Sequence, residues 1–205
     1  MLKVDVLPLG DYQTNCYIVR EETSRTCAVI DPGFSPEQVL SAVNALGLQI
    51  DAILLTHGHF AHVGGVKTIT KATGCAVWLH ESDYSPARHP MRGFLYPLAD
   101  CREPEIQFCE EMEQITAGGL TFTVYETPGH TRGSVCYRCG HALFSGDTLF
   151  AGSCGRTDLP GGDWNTIQHS LARLASMEEE LTVYPGHGES TTLAAEKRYN
   201  PYMRG

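Results

Sequence analysis

Apolar residues in the first half of the chain occur in short continuous runs and in runs with helical spacing. The short runs have the length of buried strands and fall at residues 16–19, 27–30, 52–55 and 76–79, after an alternating segment at 2–7. Apolar positions three and four residues apart predict helices at about 36–46 and 62–72, ended by Gly47 and Gly74. Strands that alternate with helices predict an α/β fold in which helices cover a sheet.

The second half of the chain repeats this order. Strands are predicted at residues 115–116, 120–125, 134–138, 142–145 and 181–184. Helices are predicted at 166–177 and 192–198, on either side of the last strand. Residues 81–105 lack any periodicity, which predicts a long surface loop between the halves. No shift in composition marks a linker, so residues 1–205 are predicted to form a single domain.

Composition and charge exclude several functional classes. The formal net charge of −9 argues against a general nucleic-acid-binding protein, which would be basic. No apolar stretch approaches the ~20 residues that cross a membrane. The first residues lack the continuous apolar segment of an export signal. We therefore expect a cytoplasmic protein without nucleic-acid or membrane partners.

The eight cysteines are scattered through a chain of 205 residues, which is large enough to fold without disulfides. Reduced thiols are therefore expected. Cys136 and Cys139 form a C-x-x-C pair within a predicted strand. Residues three apart in a strand point to opposite faces, so this pair is not predicted to hold a metal.

Four of the predicted strands are followed by possible metal ligands, each close to a glycine. The strand at 52–55 leads into THGHFAH, which contains His57, His59 and His62. Later strands lead to His130, Asp147 and His187. Imidazole nitrogens together with a carboxylate suit zinc, iron or manganese. In an extended segment, His57 and His59 point the same way and can share one ion, whereas His62 at the start of a helix would serve a second. The remaining histidines, at 80, 89, 141 and 169, are assigned no metal role.

Four motifs, T-H-x-H-x-x-H, P-G-H-T-x-G-S, S-G-D-T-L-F and P-G-H-G, occur in this order. With them, nearly the whole chain resembles the metallo-β-lactamase fold superfamily. The segment AGSCGRTDLPGGD and the later PGHGESTT are similar to the short glyoxalase II-type hydrolases. The resemblance implies a four-layer αβ/βα sandwich. It also implies a first metal site formed by His57, His59 and His130, a second that includes His62 and His187, and a bridging Asp147.

One position departs from the family pattern. The first motif of the family reads T-H-x-H-x-D-H, and Ala61 stands where that aspartate is expected. A methyl group cannot ligate a metal, position a water molecule or accept a proton. The second site then retains only His62, His187 and Asp147. We therefore expect one tightly bound zinc, a second site that is weak or empty, and reduced hydrolysis, with iron or manganese as alternative metals. The origin of Ala61, natural or introduced, stays open.

The resemblance implies an enzyme that hydrolyses a small-molecule thioester such as S-lactoylglutathione by means of a metal-bound hydroxide. Arg156 is the candidate for binding a substrate carboxylate, because arginine binds carboxylates through two parallel hydrogen bonds. A structural ion pair of Arg156 with Asp158 or Asp163 fits the sequence equally well. A monomer or small homo-oligomer is expected.

Two alternative functions stay open at this point. The superfamily also includes mononuclear-iron persulfide dioxygenases, which would tolerate a defective second site. A catalytically impaired ligand-binding protein is the other alternative. A β-lactamase is not favoured, because no export signal is visible.

Overall fold

The computed structural model describes residues 1–84, 106–178 and 180–204, and its first half is built on a six-stranded sheet. The strands of this sheet are β1 (Leu2–Leu9), β2 (Thr14–Glu21), β3 (Thr26–Ile30), β4 (Gln49–Leu54), β5 (Ala76–His80) and β6 (Ile106–Cys109). They lie side by side in sequence order. The pairs β1–β2 and β2–β3 are antiparallel, whereas β3 to β6 run parallel. The parallel strands end at the same edge of the sheet.

A second six-stranded sheet forms the other half. Its strands are β7 (Gln114–Ala117), β8 (Leu120–Glu126), β9 (Val135–Cys139), β10 (Ala142–Gly146), β13 (Thr182–Pro185) and β14 (Thr191–Thr192). Their spatial order is β14-β13-β10-β9-β8-β7. Strand β13 is parallel to β10, and the other pairs are antiparallel. A small hairpin of β11 (Leu149–Phe150) and β12 (Ser153–Cys154) follows β10.

Helices cover the outer faces of both sheets. Pro36 occupies the first turn of α1 (Pro36–Ala45), as the sequence predicts, but the Ser35 side chain makes no capping bond. The helix predicted at 62–72 is instead two short helices, α2 (Phe60–Val63) and α3 (Val66–Thr73). The glycine pair at 64 and 65 separates them. The second half supplies α4 (Trp164–Ala175) and α5 (Leu193–Tyr199), and no helix among the described residues has the length and apolar character to cross a membrane.

Three apolar cores separate four layers. The middle core lies between the two sheets and includes Tyr17, Leu54, Phe122 and Phe144. A second core packs α1 and α3 against the first sheet, and a third packs α4 and α5 against the second sheet. The order of layers is therefore helix, sheet, sheet, helix. This arrangement confirms the predicted α/β sandwich.

The C-x-x-C pair illustrates how the alternation of a strand divides side chains between these layers. Cys136 belongs to the core beneath α4, whereas Cys139 belongs to the core between the sheets. Both are buried, and seven cysteines among the described residues are free thiols. The prediction that the two thiols point to opposite faces is confirmed.

Candidate metal centre

The predicted ligands meet where strands of both sheets end. His57, His59 and His62 follow β4, the last of them within α2. From the second sheet, His130 follows β8, Asp147 follows β10, and His187 follows β13. Residues separated by up to 130 positions in the chain therefore converge on one place between the sheets.

His57, His59 and His130 form one compact group. Each offers a ligand atom, and these atoms lie within 4.8 Å of one another. Their ring centroids are 4.6 to 4.8 Å apart and their planes are close to perpendicular, so the three rings surround a common point. Asp147 Oδ2 lies 3.5 Å from His130 Nε2. These are the three histidines expected at the first metal site.

His62, Asp147 and His187 form a second group with the same spacing between possible ligand atoms. Asp147 Oδ1 lies 3.0 Å from His187 Nδ1 and 3.4 Å from His62 Nε2. The other oxygen of the same carboxylate, Oδ2, faces the first group. Asp147 therefore lies between the two groups with one oxygen toward each, which is the position required of a bridging ligand.

A metal ion fits the atoms present. The Nε2 atoms of His57, His59, His62 and His130 are buried and have no hydrogen-bond partner among the described residues. A buried polar nitrogen without a partner costs roughly 1–3 kcal/mol, so four such atoms in one place indicate a ligand that supplies what they lack. Convergent imidazole nitrogens beside a carboxylate are a ligand set for a divalent metal.

Three of these imidazoles are oriented through their other nitrogen. His57 Nδ1 lies 3.0 Å from Thr56 Oγ1, and His130 Nδ1 donates to the backbone oxygen of Arg156 at 2.7 Å. His62 Nδ1 lies 2.9 Å from Asp31 Oδ2. Partners on Nδ1 leave Nε2 as the nitrogen that faces the centre. Contacts of this kind fix the ring orientation of metal-binding histidines.

Burial keeps the first group in the form that binds metals. It lowers the pKa of His57 and His130, and it lowers the pKa of His59 to about 3. These imidazoles are therefore neutral at physiological pH, and only a neutral imidazole can donate its electron pair to a metal.

His62 differs because it lies between two carboxylates. Burial alone would lower its pKa, but the charges of Asp147 and Asp31 outweigh burial and raise the pKa to about 10. Burial likewise opposes the charged form of Asp147, yet the nearby His62 and His187 hold its pKa well below the usual range. The two shifts favour an imidazolium at His62 beside an ionised carboxylate at Asp147.

Ala61 lies in α2 between Phe60 and His62 and is 9% exposed. It contributes no oxygen or nitrogen atom from its side chain. Asp31 does not take its place, because Asp31 is bonded to Nδ1 of His62 whereas Asp147 faces Nε2. The two nitrogens point to different sides of the ring. Among the described residues, the second group thus consists of two histidines and one carboxylate.

Two buried aspartates at the centre were missed by sequence reasoning. Asp31 accepts hydrogen bonds from the Thr56 amide at 2.9 Å and from its hydroxyl at 2.7 Å, besides facing His62. It follows β3 and precedes Pro32 and Gly33, so it shows the same pattern of strand end and nearby glycine as the predicted ligands. That pattern could have identified it.

Asp83 connects the two histidine loops. Its carboxylate accepts hydrogen bonds from the amides of Gly58 and Gly133, both at 2.8 Å, and from the hydroxyl of Thr131 at 2.7 Å. It is 2% exposed and lies in a single 3-10 turn, Glu81–Asp83. No signal marked it, because it falls in the stretch without periodicity. Residues 85–105 of the predicted 81–105 loop lie outside the described residues.

Arg156 is held in an ion pair with Asp158. Its guanidinium makes two hydrogen bonds of 2.7 Å to that carboxylate, and both side chains are largely exposed. The other predicted partner, Asp163, instead caps α4 by accepting from the Thr166 amide. Arg156 contacts His130 through its backbone oxygen. The predicted ion pair with Asp158 is therefore present, and the binding of a substrate carboxylate by Arg156 stays a prediction.

A four-layer α/β sandwich with a histidine and aspartate centre at its strand ends defines a metallo-hydrolase class. A family model described as the metallo-beta-lactamase superfamily matches residues 9–187. The chain belongs to this superfamily.

Named relatives extend the likeness over the whole chain. A hydroxyacylglutathione hydrolase, GloC, of Haemophilus influenzae is 31% identical over 209 residues, which is 98% of each chain. Among solved structures, BLEG-1 B3 metallo-beta-lactamase is 33% identical with a TM-score of 0.87 and covers 100% of both chains. TTHA1623 in a di-iron-bound form is 38% identical, with a TM-score of 0.82, over 97% of this chain and 100% of that one.

Proposed function

We propose that this protein is a metal-dependent hydrolase of the glyoxalase II type that cleaves a small-molecule thioester such as S-lactoylglutathione. The observation that carries the proposal is the convergence, around Asp147, of four buried Nε2 atoms that make no hydrogen bond among the described residues. The name of the Haemophilus influenzae relative, hydroxyacylglutathione hydrolase, supports the choice of a thioester.

Each ligand has a defined part in this proposal. His57, His59 and His130 would hold the first metal, His62 and His187 the second, and Asp147 would bridge them. Zinc is the proposed metal, and the di-iron form of TTHA1623 supports iron as the alternative. A divalent metal here would supply a Lewis acid that polarises the substrate carbonyl and lowers the pKa of bound water to about 7. The Nδ1 partners keep the imidazoles of the centre aligned.

Ala61 weakens the second site in this scheme. Three protein ligands can hold zinc, but the group of His62, Asp147 and His187 includes only one carboxylate. His62 must also lose its proton before it can bind a metal. We therefore propose one tightly bound ion, a weak or empty second site, and slow turnover.

The test is metal content and thioester turnover of three forms of the protein. Ala61→Asp restores a carboxylate, and Ala61→Asn is a control of the same size without the charge. We expect about one ion in the original chain and in Ala61→Asn, two in Ala61→Asp, and faster turnover only in Ala61→Asp. Equal metal content and equal turnover in all three forms would contradict the proposal.

A mononuclear-iron persulfide dioxygenase is the main alternative. The complete first group of histidines beside an incomplete second group favours it. Against it, His62 and His187 both face Asp147, which a mononuclear centre would not require. Iron content together with oxygen uptake on glutathione persulfide distinguishes the two enzymes.

Two further outcomes would replace the hydrolase proposal. If the protein only binds a ligand and has no activity, no thioester turnover should appear even after Ala61→Asp and the addition of zinc, iron or manganese. A β-lactamase predicts hydrolysis of a β-lactam, the activity named for BLEG-1. We expect thioester hydrolysis to exceed β-lactam hydrolysis in the same preparation.

A further inference from the structure

The loop that carries His187 is held by the opposite sheet. We call residues 185–188, Pro-Gly-His-Gly, the His187 loop; it begins at the last residue of β13 in the second sheet. Strand β2 of the first sheet starts beside it, and Thr14 forms an isolated antiparallel bridge with His187. The Thr14 hydroxyl also lies 3.4 Å from Nε2 of His187. The two sheets are therefore joined next to the metal centre.

One residue of β2, Asn15, binds most of the backbone oxygens of the His187 loop. Its side-chain amide donates to the oxygen of Pro185 at 3.0 Å and to that of Gly188 at 2.8 Å. Its backbone amide donates to the oxygen of Gly186 at 2.8 Å. Three of the four carbonyl groups of the loop therefore accept hydrogen bonds from a single buried residue.

The chemistry of this contact requires an amide at position 15. Both partners of the Asn15 side chain are carbonyl oxygens, so its NH₂ group must face them, and each hydrogen serves one oxygen. An aspartate of the same shape would place an oxygen atom against two oxygen atoms, and a serine could donate only once. The backbone bond to Gly186 does not depend on the side chain.

Tyr17 supports the same loop from the next position of β2 that faces the second sheet. Its hydroxyl donates to the oxygen of Pro185 at 2.6 Å, and burial raises the pKa of Tyr17, so the hydroxyl keeps the proton that it donates. The oxygen of Pro185 thus has two donors, whereas that of Gly188 has only Asn15 among the described residues. Asn15 is therefore harder to replace than Tyr17.

The inner side of the His187 loop packs against the other members of the second metal group. A Cβ atom at Gly186 would lie 2.2 Å from Asp147 Oδ1 and 2.8 Å from Cε1 of His62. The Gly186 amide also donates to the oxygen of Gly146 at 2.8 Å, and Gly146 directly precedes Asp147. A shift of the loop would therefore move His187 relative to both partners.

We propose that Asn15 is a positioning residue for the second metal group, which fixes His187 opposite Asp147 and His62 by holding the His187 loop against the first sheet. The position of His187 is then set by the docking of the two sheets as well as by its own strand. Contacts that orient metal ligands affect metal affinity by about 10- to 100-fold. The predicted effect on metal affinity rests on the proposed function, whereas the placement of the loop does not.

Metal affinity in the Ala61→Asp background, where two ions are expected, tests this role. Asn15→Ser leaves at most one side-chain donor for two carbonyl oxygens. We expect it to lower affinity for the second ion about tenfold or more and to leave affinity for the first nearly unchanged, as measured by chelator competition with a two-site fit. Tyr17→Phe is the matched control and should have a smaller effect, because the oxygen of Pro185 keeps Asn15 as a donor. An equal fall at both sites would overturn the inference.

Hydrogen exchange after removal of metal with a chelator tests the loop without metal binding or turnover. The amides of Gly186 and Thr182 each donate at 2.8 Å, to the oxygens of Gly146 and His141, at opposite ends of β13. Both should exchange slowly in the original chain, and Asn15→Ser should accelerate exchange at Gly186 about tenfold or more without affecting Thr182. Equal acceleration at both amides, or rapid exchange of Gly186 in the original chain, would overturn the inference.

These two measurements separate the inference from the proposed function. If Ala61→Asp binds one ion and hydrolyses no thioester while exchange at Gly186 responds to Asn15→Ser, the scheme for the second metal fails and the role of Asn15 in placing His187 stands. If two ions bind but affinity for the second is unchanged in Asn15→Ser, the inference is wrong and the proposed function is unaffected.

Discussion

Asp31 Oδ2 lies 2.9 Å from Nδ1 of His62, and both side chains are almost completely buried. Asp31 has a φ angle of +50°, an uncommon value for a residue with a side chain. The surrounding contacts with Thr56 hold it in this conformation. A buried carboxylate kept in a strained position behind a predicted ligand indicates that orienting His62 is its role.

Replacement of Asp31 should therefore weaken the second metal site. In the Ala61→Asp background, where two ions are expected, we predict that Asp31→Asn lowers affinity for the second ion about tenfold or more. The physical reason is that an amide binds the Nδ1 hydrogen of His62 less strongly than a carboxylate does. Chelator competition with a two-site fit measures this. An unchanged second affinity in a folded variant would show that Asp31 serves only the fold.

Asp83 should affect the other site. It accepts three hydrogen bonds from the loops that carry His57, His59 and His130, and an asparagine would present an NH₂ group to donors. We predict that Asp83→Asn lowers the metal affinity of the first site about tenfold or more. The metal affinity of the second site should fall less. The same chelator competition applies. Asp31→Asn and Asp83→Asn serve as controls for each other. If either variant lowered the metal affinity of both sites equally, the assignment of Asp31 to the second site and Asp83 to the first would be wrong.

Gly155 should tolerate no side chain. A Cβ atom there would lie 1.8 Å from the backbone oxygen of Asp147 and 3.1 Å from His130 Nδ1. We predict that Gly155→Ala lowers the free energy of unfolding by about 3 kcal/mol or more and reduces metal content. Gly140→Ala is the control, because Gly140 has a φ angle of +57° but open space around its Cβ position. Denaturant unfolding should show a loss of only about 1 kcal/mol for the control.

Arg156 should matter little through its side chain. Arg156 and Asp158 are 62% and 66% exposed, and an ion pair so exposed contributes little because water and salt screen it. Arg156→Ala keeps the backbone oxygen that orients His130, so we predict unchanged metal content and a KM within about twofold of the original, as expected for a screened surface pair. Steady-state kinetics with a thioester that carries a carboxylate tests this. A large rise in KM would contradict this prediction and support Arg156 as the residue that binds the substrate carboxylate.

Most strands and most ligands could be predicted from local patterns. Apolar runs located β2 to β5 and β8 to β10, and the residues after four strand ends include the members of both metal groups. The short strands β6, β11, β12 and β14 were not predicted, because two to four residues carry too little periodicity. The prediction of one helix at 62–72 was wrong in one respect, because the spacing of apolar residues does not reveal the break at Gly64 and Gly65.

The sequence by itself determined the ligand types, their order along the chain and the alanine at position 61, because these are chemical identities that need no coordinates. The family resemblance implied how these ligands are grouped, but only the tertiary structure decided that they meet, since that depends on two sheets packing face to face. It placed Asp147 between the two groups and Asp31 behind His62. It also brought Asn15 of the first sheet against the loop that carries His187. Contacts between residues so distant in the chain arise from packing, which no local pattern records.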